Sequence, residues 1–362
     1  MSSPQVIDVS SLVAPISADD AVGFDLRQDT TPRSLYSRIR DARKAARAAE
    51  RSNLFDDKST EADEHWRQVF DLSPQALKES TKDLEIACWY TEALIRRAGF
   101  KGLRDGFSLI RQLIENFWDK IYPLPDDDGV ATRVAALTGL NGEGAEGVLI
   151  VPIRTTHITE GGQSGPFSYW QYKLAADAQR MTDAQGRSEQ IAKNGFGLDD
   201  IQNAVEQSSQ EFYVNLRDDV RDALEQYKLI GQLLTERCGA QDSPPTSNIV
   251  NILTDTLSAI VHIARHKLPE PEVAGGMEGD TTSGSAATGG SINSRAEALK
   301  QLGHISQFFR RTEPHSPLSY IIEKSVRWGN MPLGELMHEL IPDSGSRNTY
   351  SSLTGVTTND EK

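Results

Sequence analysis

Residues 84–121 constrain the fold more than any other stretch of the chain. Leu84, Ala87, Cys88, Thr91, Leu94 and Ile95 recur with a period of about 3.6 residues, the mark of one apolar helix face. Ser80-Thr81-Lys82-Asp83 precedes them with helix-starting side chains and an acidic group for the first turn. Gly99 closes this helix. Leu103, Phe107, Ile110, Leu113, Ile114, Phe117, Trp118 and Ile121 then form a second apolar face, which Tyr122-Pro123-Leu124-Pro125 stops. Two amphipathic helices joined by a glycine turn predict an αα-hairpin. The pair is expected to be the core of an all-α domain.

The rest of the chain reads as helices and connections around that pair. Residues 1–35 look irregular, punctuated by Pro15, Gly23 and Pro32. A helix is expected from Ser34 to Arg51, with Arg38, Arg40, Arg43, Arg47 and Arg51 on a solvated face, and another around Trp66 to Phe70. Val148 to Ile153 is β-branched and reads as a short strand or extended segment. Ser168 and Gln171 have capping-box spacing, so a helix starts there. Residues 182–197, with Gly186, Gly195 and Gly197, read as a loop. One long helical stretch is expected from Leu198 to Cys238, and another from Ser247 to Lys267.

These readings divide the chain into an N-terminal helical domain at 1–195, a small middle helical domain at 196–268 and a flexible linker at 269–293. A three-helix C-terminal domain follows at 294–342, then a polar, disordered tail at 343–362. The linker is rich in Gly, Ser and Thr; as a random coil it reaches roughly 25–30 Å. The C-terminal segment has clear punctuation: Ser294 and Glu297 at capping-box spacing, Ser316 as N-cap before Pro317, Gly329 as the residue after a helix, and Pro332 opening the last one. One side of its first helix carries Leu299, Leu302, Ile305 and Phe309; the second carries Leu318, Ile321, Ile322 and Val326. A segment this short does not hold a core comfortably alone. It is expected to pack against another copy of itself.

Charge removes some function classes. The chain of 362 residues carries a net charge of −14, which disfavours non-specific binding to nucleic acid or anionic lipid and acidic partners in general, though not a local basic patch. Two cysteines far apart, Cys88 and Cys238, read as buried thiols. No apolar run suits a signal peptide or a membrane span, so a cytosolic protein without direct membrane insertion is expected.

Motifs of catalysis and cofactor binding give no site. Phosphate loops, the dinucleotide fingerprint, H-E-x-x-H, C-x-x-C and the G-x-S-x-G elbow are absent from the sequence. Asp126, Asp127 and Asp128 lack EF-hand spacing and read as an exposed loop. His262 and His266 are four apart but have no further ligand at a fitting spacing. Glu313, His315 and Ser316 contain acid, base and nucleophile types, yet neighbours in sequence rarely converge on one atom. The expectation is therefore no catalytic, cofactor or metal residues. An enzyme using Glu313 and His315 is the outlying alternative. Phe308, Phe309, Arg310, Arg311 and Trp328 combine aromatic and basic groups as interfaces do, and Leu336 and Leu340 add an apolar stripe. These seven are the candidate interface residues.

The N-terminal half resembles the ImpA N-terminal domain of TssA proteins, components of type VI secretion systems. The resemblance rests on Pro15-Ile16, Gly23, Asp25-Leu26-Arg27, Trp66, Lys82-Asp83-Leu84, Trp89, Gly99-Phe100, Gly102-Leu103, Trp118-Asp119 and Tyr122-Pro123, in collinear order. Arg311 to Pro317, Arg327-Trp328 and Met331-Pro332-Leu333 resemble the C-terminal domain of short TssA proteins. The resemblance implies a non-enzymatic assembly factor that forms a ring-like homo-oligomer through its C-terminal domain. Its implied partners are the baseplate, tube, contractile sheath and membrane complex, at the cytoplasmic side of the inner membrane. A monomeric adaptor of the same apparatus is the alternative.

Overall fold

The computed structural model describes residues 2–52, 60–127, 129–161, 165–269, 295–312, 317–331, 336, 339–341, 343 and 345–346. Among them the chain is all-α, as expected, with isolated bridges in place of any sheet. It divides into two compact units, residues 1–275 and 276–362.

The hairpin is the centre of the first unit. Helix α4 runs Leu84–Phe117 but is interrupted at Gly99, whose φ of 63° and ψ of −146° only glycine adopts readily. There the chain doubles back. A Cβ added at Gly102 would lie 2.3 Å from the Leu94 carbonyl oxygen, and one at Gly106 would lie 2.7 Å from Thr91 Oγ1, so the two arms run side by side almost backbone to backbone. The open end is tied as well: the Leu84 amide donates to the Tyr122 carbonyl at 2.8 Å, and the Tyr122 amide to the Lys82 carbonyl at 3.0 Å. Asp83 caps the first arm, accepting from the Glu85 and Ile86 amides at 2.8 and 3.1 Å. Gly102→Ala is expected to lower stability by about 1–3 kcal/mol through overpacking at this crossing, read from the urea midpoint.

Helices α1 (Val9–Leu12), α2 (Leu35–Ser52) and α3 (Thr60–Glu79) pack about the first arm. Trp66 of α3 is buried, with the Arg96 guanidinium 4.0 Å from its ring centroid. Helices α5 (Ala131–Asn141), α6 (Ile150–Thr155), α7 (Tyr169–Gln179), α8 (Ala184–Asn194) and α9 (Leu198–Gln207) follow. Helix α10 (Gln210–Cys238) lies against α4, where the Phe107 and Tyr227 rings stand 4.8 Å apart, and α11 (Ser247–Ile263) packs on α10 and α6. Residues 196–268, expected as a separate middle domain, thus join the same core: Ile201, Val220, Tyr227, Leu253 and Ile260 are buried in one cluster with Leu94, Phe107 and Ile110. Arg104 strengthens the join by donating to Asp219 Oδ1 at 2.5 Å and to the Ser3 carbonyl at 2.8 Å.

Three local expectations are corrected. Residues 150–155 form helix α6 rather than a strand; Pro152 sits in the first turn, where its missing N–H has no helical acceptor to lose. Residues 184–194 form α8 rather than a loop, because Asp183 caps the Gln185 and Gly186 amides and Gly195 closes the helix in the left-handed region. The stretch from Leu198 to Cys238 is two helices. Ser208 leaves helical geometry, and Ser209 restarts it by accepting from the Phe212 amide.

The second unit contains α12 (Arg295–Thr312) and α13 (Leu318–Asn330). Ser306 Oγ donates to the Ser319 carbonyl at 2.7 Å, and both serines are buried where the helices meet. Gly329 lies inside α13, which ends at Asn330, and does not follow the helix as expected. It is an approach point: a Cβ there would come 2.4 Å from Leu299 Cδ2. Leu336 and residues 339–340 are helical, as the expected third helix requires. The expected linker beyond Pro269, the Glu313–Ser316 turn and most of the tail lie outside the described residues.

Candidate functional site

Part of the set that carried the N-terminal resemblance, Gly23, Arg27, Lys82-Asp83-Leu84 and Tyr122, comes together at the open end of the hairpin, while Gly99 and Gly102 lie at its turn. Gly23 bridges to Thr81, and the Lys82 amide donates to the Val22 carbonyl at 2.7 Å. A Cβ on Gly23 would lie 2.0 Å from the Ser80 oxygen, so only glycine fits this crossing. Tyr122 Oη donates to the Gly23 carbonyl at 3.2 Å. Arg27 is held by three carboxylates: Asp25 at 2.8 Å, Asp83 at 2.7 Å and Glu85 at 2.8 Å. Burial pushes the Asp83 carboxyl up from its usual range, against the opposing pull of Arg27.

Lys82 is the buried cation of this knot, and sequence reasoning did not single out its role. Its Nζ donates to the Leu12 carbonyl at 2.7 Å and to the Leu77 carbonyl at 2.6 Å. Leu77 lies in the last turn of α3, so the ammonium sits on an otherwise open helix terminus and pins the N-terminal segment to it. Burial pulls its pKa down to about 8. These groups fasten the chain to itself, and their chemistry is structural.

A cleft of about 770 Å³ opens beside the Gly99 turn, lined by Arg96, Lys101, Val151, His157, Glu160 and Phe212 among others. Burial holds the His157 pKa below its usual value. The Ser209 amide donates to Glu160 Oε2 at 2.6 Å, which engages that carboxylate in joining α9 to α10. His266 Nε2 lies 3.0 Å from Glu206 Oε1, and no group of three or more potential metal ligands occurs among the described residues.

The seven candidate interface residues all belong to the second unit. Phe308 is 52% exposed and Leu340 51%; Phe309, Trp328 and Leu336 are half-buried. Arg311 is exposed. Arg310 is engaged within the unit, donating to Glu323 at 2.6 Å and lying 5.4 Å from the Tyr320 ring centroid. Lys324 covers Trp328 at 4.9 Å. The structure adds three residues that the reading missed as surface. Ile305, Tyr320 and Ile321 are exposed, Ile305 and Ile321 on the apolar sides that the sequence marks on the first and second helices. Among the residues of this unit whose side-chain exposure is described, Ser306 and Ser319 are buried and no large apolar side chain joins them.

Comparison with known proteins bears out the resemblance. Residues 13–142 match the family model described as ImpA, N-terminal, type VI secretion system. The type VI secretion system component TssA1 of Pseudomonas aeruginosa is 24% identical over 97% of this chain and 99% of its own. Among solved structures, an N-terminal domain including the conserved ImpA N-terminal region of the TssA component from Burkholderia cenocepacia matches with a TM-score of 0.58. It is 25% identical, covering 72% of this chain and 94% of that one.

Proposed function

We propose, from the match of residues 13–142 to the family model described as ImpA, N-terminal, type VI secretion system, that the chain is a non-enzymatic assembly component of such a system. It forms a ring-like homo-oligomer through residues 294–342 and helps recruit or prime the baseplate, tube and contractile sheath. It works at the cytoplasmic side of the inner-membrane complex. The likeness to a secretion component along nearly the whole of both chains supports the apparatus. No described helix is long and apolar enough to cross a membrane.

The observation that carries self-association is the unsealed second unit. Ile305, Phe308, Tyr320, Ile321 and Leu340 stand exposed on a unit too small to sustain its own core. A second copy brings the same surface, and a closed ring covers it on every subunit. Such a ring displays many copies of the first unit, so individually weak contacts to a symmetric machine add up. The test is to compare the mass of the full chain with that of residues 1–275, which form a compact unit. The expected result is an oligomer for the full chain and a monomer for the shortened one. An oligomer for both would move self-association to the first unit and overturn this assignment.

A further inference from the structure

Helix α2 carries a row of cations, and among the described residues the one ion pair on that row is Arg40 with Asp41. Arg40, Lys44, Arg47 and Arg51 are spaced four, three and four residues apart, which places them on one strip of the helix surface. The strip is about 16 Å long at the α-helical rise. The core-facing positions of the helix are different ones, Ile39, Ala42, Ala46 and Ala49.

Arg43, Arg96 and Arg97 have carboxylate partners, whereas Arg47 pairs with none of the described residues. Arg43 donates to Glu92 Oε1 at 2.7 Å, Arg96 to Glu50 Oε1 at 2.5 Å and Arg97 to Asp63 Oδ1 at 3.0 Å. Arg40 pairs with adjacent Asp41 at 3.0 Å. Arg47 is half-buried, and no hydrogen bond or ion pair joins its guanidinium to a described residue, although Glu92 Oε2 is buried without a partner. The charges that act on it are Glu92, which favours it, and Arg43, Arg51 and Arg96, which oppose it. Glu92 is itself buried with Oε1 engaged by Arg43. Burial and the three arginines hold Arg47 below the usual arginine pKa.

We infer that this strip is a docking site for an acidic polypeptide segment, whose carboxylates pair with Arg47 and bridge it to Arg40, Lys44 and Arg51. The strip is one helix wide, with Asp41 and Glu50 beside it on the same helix, in a chain of net charge −14. A nucleic-acid backbone or an anionic bilayer would bring its charge across those carboxylates, inside the screening length of about 8 Å. An acidic helix or extended segment keeps its charge on the strip. Partner chemistry on the first unit does not depend on self-association through the second.

The test uses full-length protein and fluorescence anisotropy. The probe is a labelled helical peptide with Glu at the spacing of the strip, with its Gln counterpart, a short DNA duplex and phosphatidylserine vesicles as comparisons. The Glu peptide is expected to bind in preference to all three, more weakly as salt rises, and about tenfold or more weakly to an Arg47→Gln/Arg51→Gln variant. Arg47→Gln is also expected to leave the melting temperature unchanged or raised, because it removes a cation from among cations. Equal binding of the Glu and Gln peptides, binding unaffected by the variant, tighter binding of DNA or vesicles, or a melting temperature lowered by Arg47→Gln would each overturn the inference.

Discussion

Replacing Arg27 by Met is expected to cost about 3–5 kcal/mol of stability, because it strands a buried carboxylate. Asp83 is fully buried, whereas Arg27 keeps 24% of its side chain exposed. Two amides of α4 remain as donors to Asp83 after the substitution, but its counter-charge is gone. The same residue joins the N-terminal segment to Glu85 and, through it, to Tyr36 Oη at 2.9 Å. Loss of Arg27 therefore loosens residues 25–28 and the start of α2 together with the hairpin.

The pH dependence gives this prediction a sign. The Asp83 carboxyl has its folded pKa raised by burial. A raised carboxylate means that the folded state holds the proton more tightly than the unfolded one. Its contribution to stability is therefore present at low pH and lost as pH rises from the unfolded value of about 3.9 through the folded one. Removing Arg27 takes away the group opposing that rise, so the loss grows. The deficit of Arg27→Met relative to the parent is expected to be largest at neutral pH and to shrink as pH falls toward 5. Urea titrations at both pH values measure it, and a deficit that widens on acidification would contradict the burial account.

The second large effect is on assembly. Phe308→Asp combined with Ile321→Asp is expected to turn the full-length oligomer into monomers. Both side chains are more than half exposed in the single chain. Apolar anchors of this kind contribute about 2 kcal/mol or more each when an interface covers them, so two introduced charges weaken association by about a thousandfold or more. The first unit does not contain either residue, and its melting transition is expected to stay in place. Phe308→Ala alone checks for misfolding: helix content measured by circular dichroism stays constant while the dissociation constant rises. A variant that remains fully assembled would show that these faces point into solvent in the oligomer.

Particular residues show why some of this architecture was legible and some was not. The hairpin was readable because Asp83, Gly99 and the Tyr122-Pro123 stop agree with the apolar period on either side. Helix α6 was hidden because Val148, Val151 and Ile153 mimic a strand, and because a proline in the first turn costs nothing. Helix α8 was hidden by its glycines, which the Asp183 cap outweighs. The break between α9 and α10 leaves the apolar stripe intact and shows in the extended backbone of Ser208 and in its bonds, with Ser208 Oγ donating to the Ala204 carbonyl and accepting from the Glu160 amide.

The candidate surface was half legible for a related reason. Periodicity marks a face that is to be buried, but it does not say whether the cover comes from the same chain or another. The apolar sides with Ile305 and Ile321 are therefore legible in sequence but their cover is not, while the small Ser306 and Ser319 hold the helix contact itself. Arg47 read as one of many solvated arginines because a sequence does not show that Arg43 and Arg96 take the nearby carboxylates.

Sedimentation equilibrium of the unmodified full-length protein over a range of micromolar concentrations tests the central proposal most directly. A mass that is a fixed multiple of the 39.9 kDa chain, held across that range, is the predicted result. A mass of 39.9 kDa at every concentration would contradict the ring and leave a monomeric adaptor in its place.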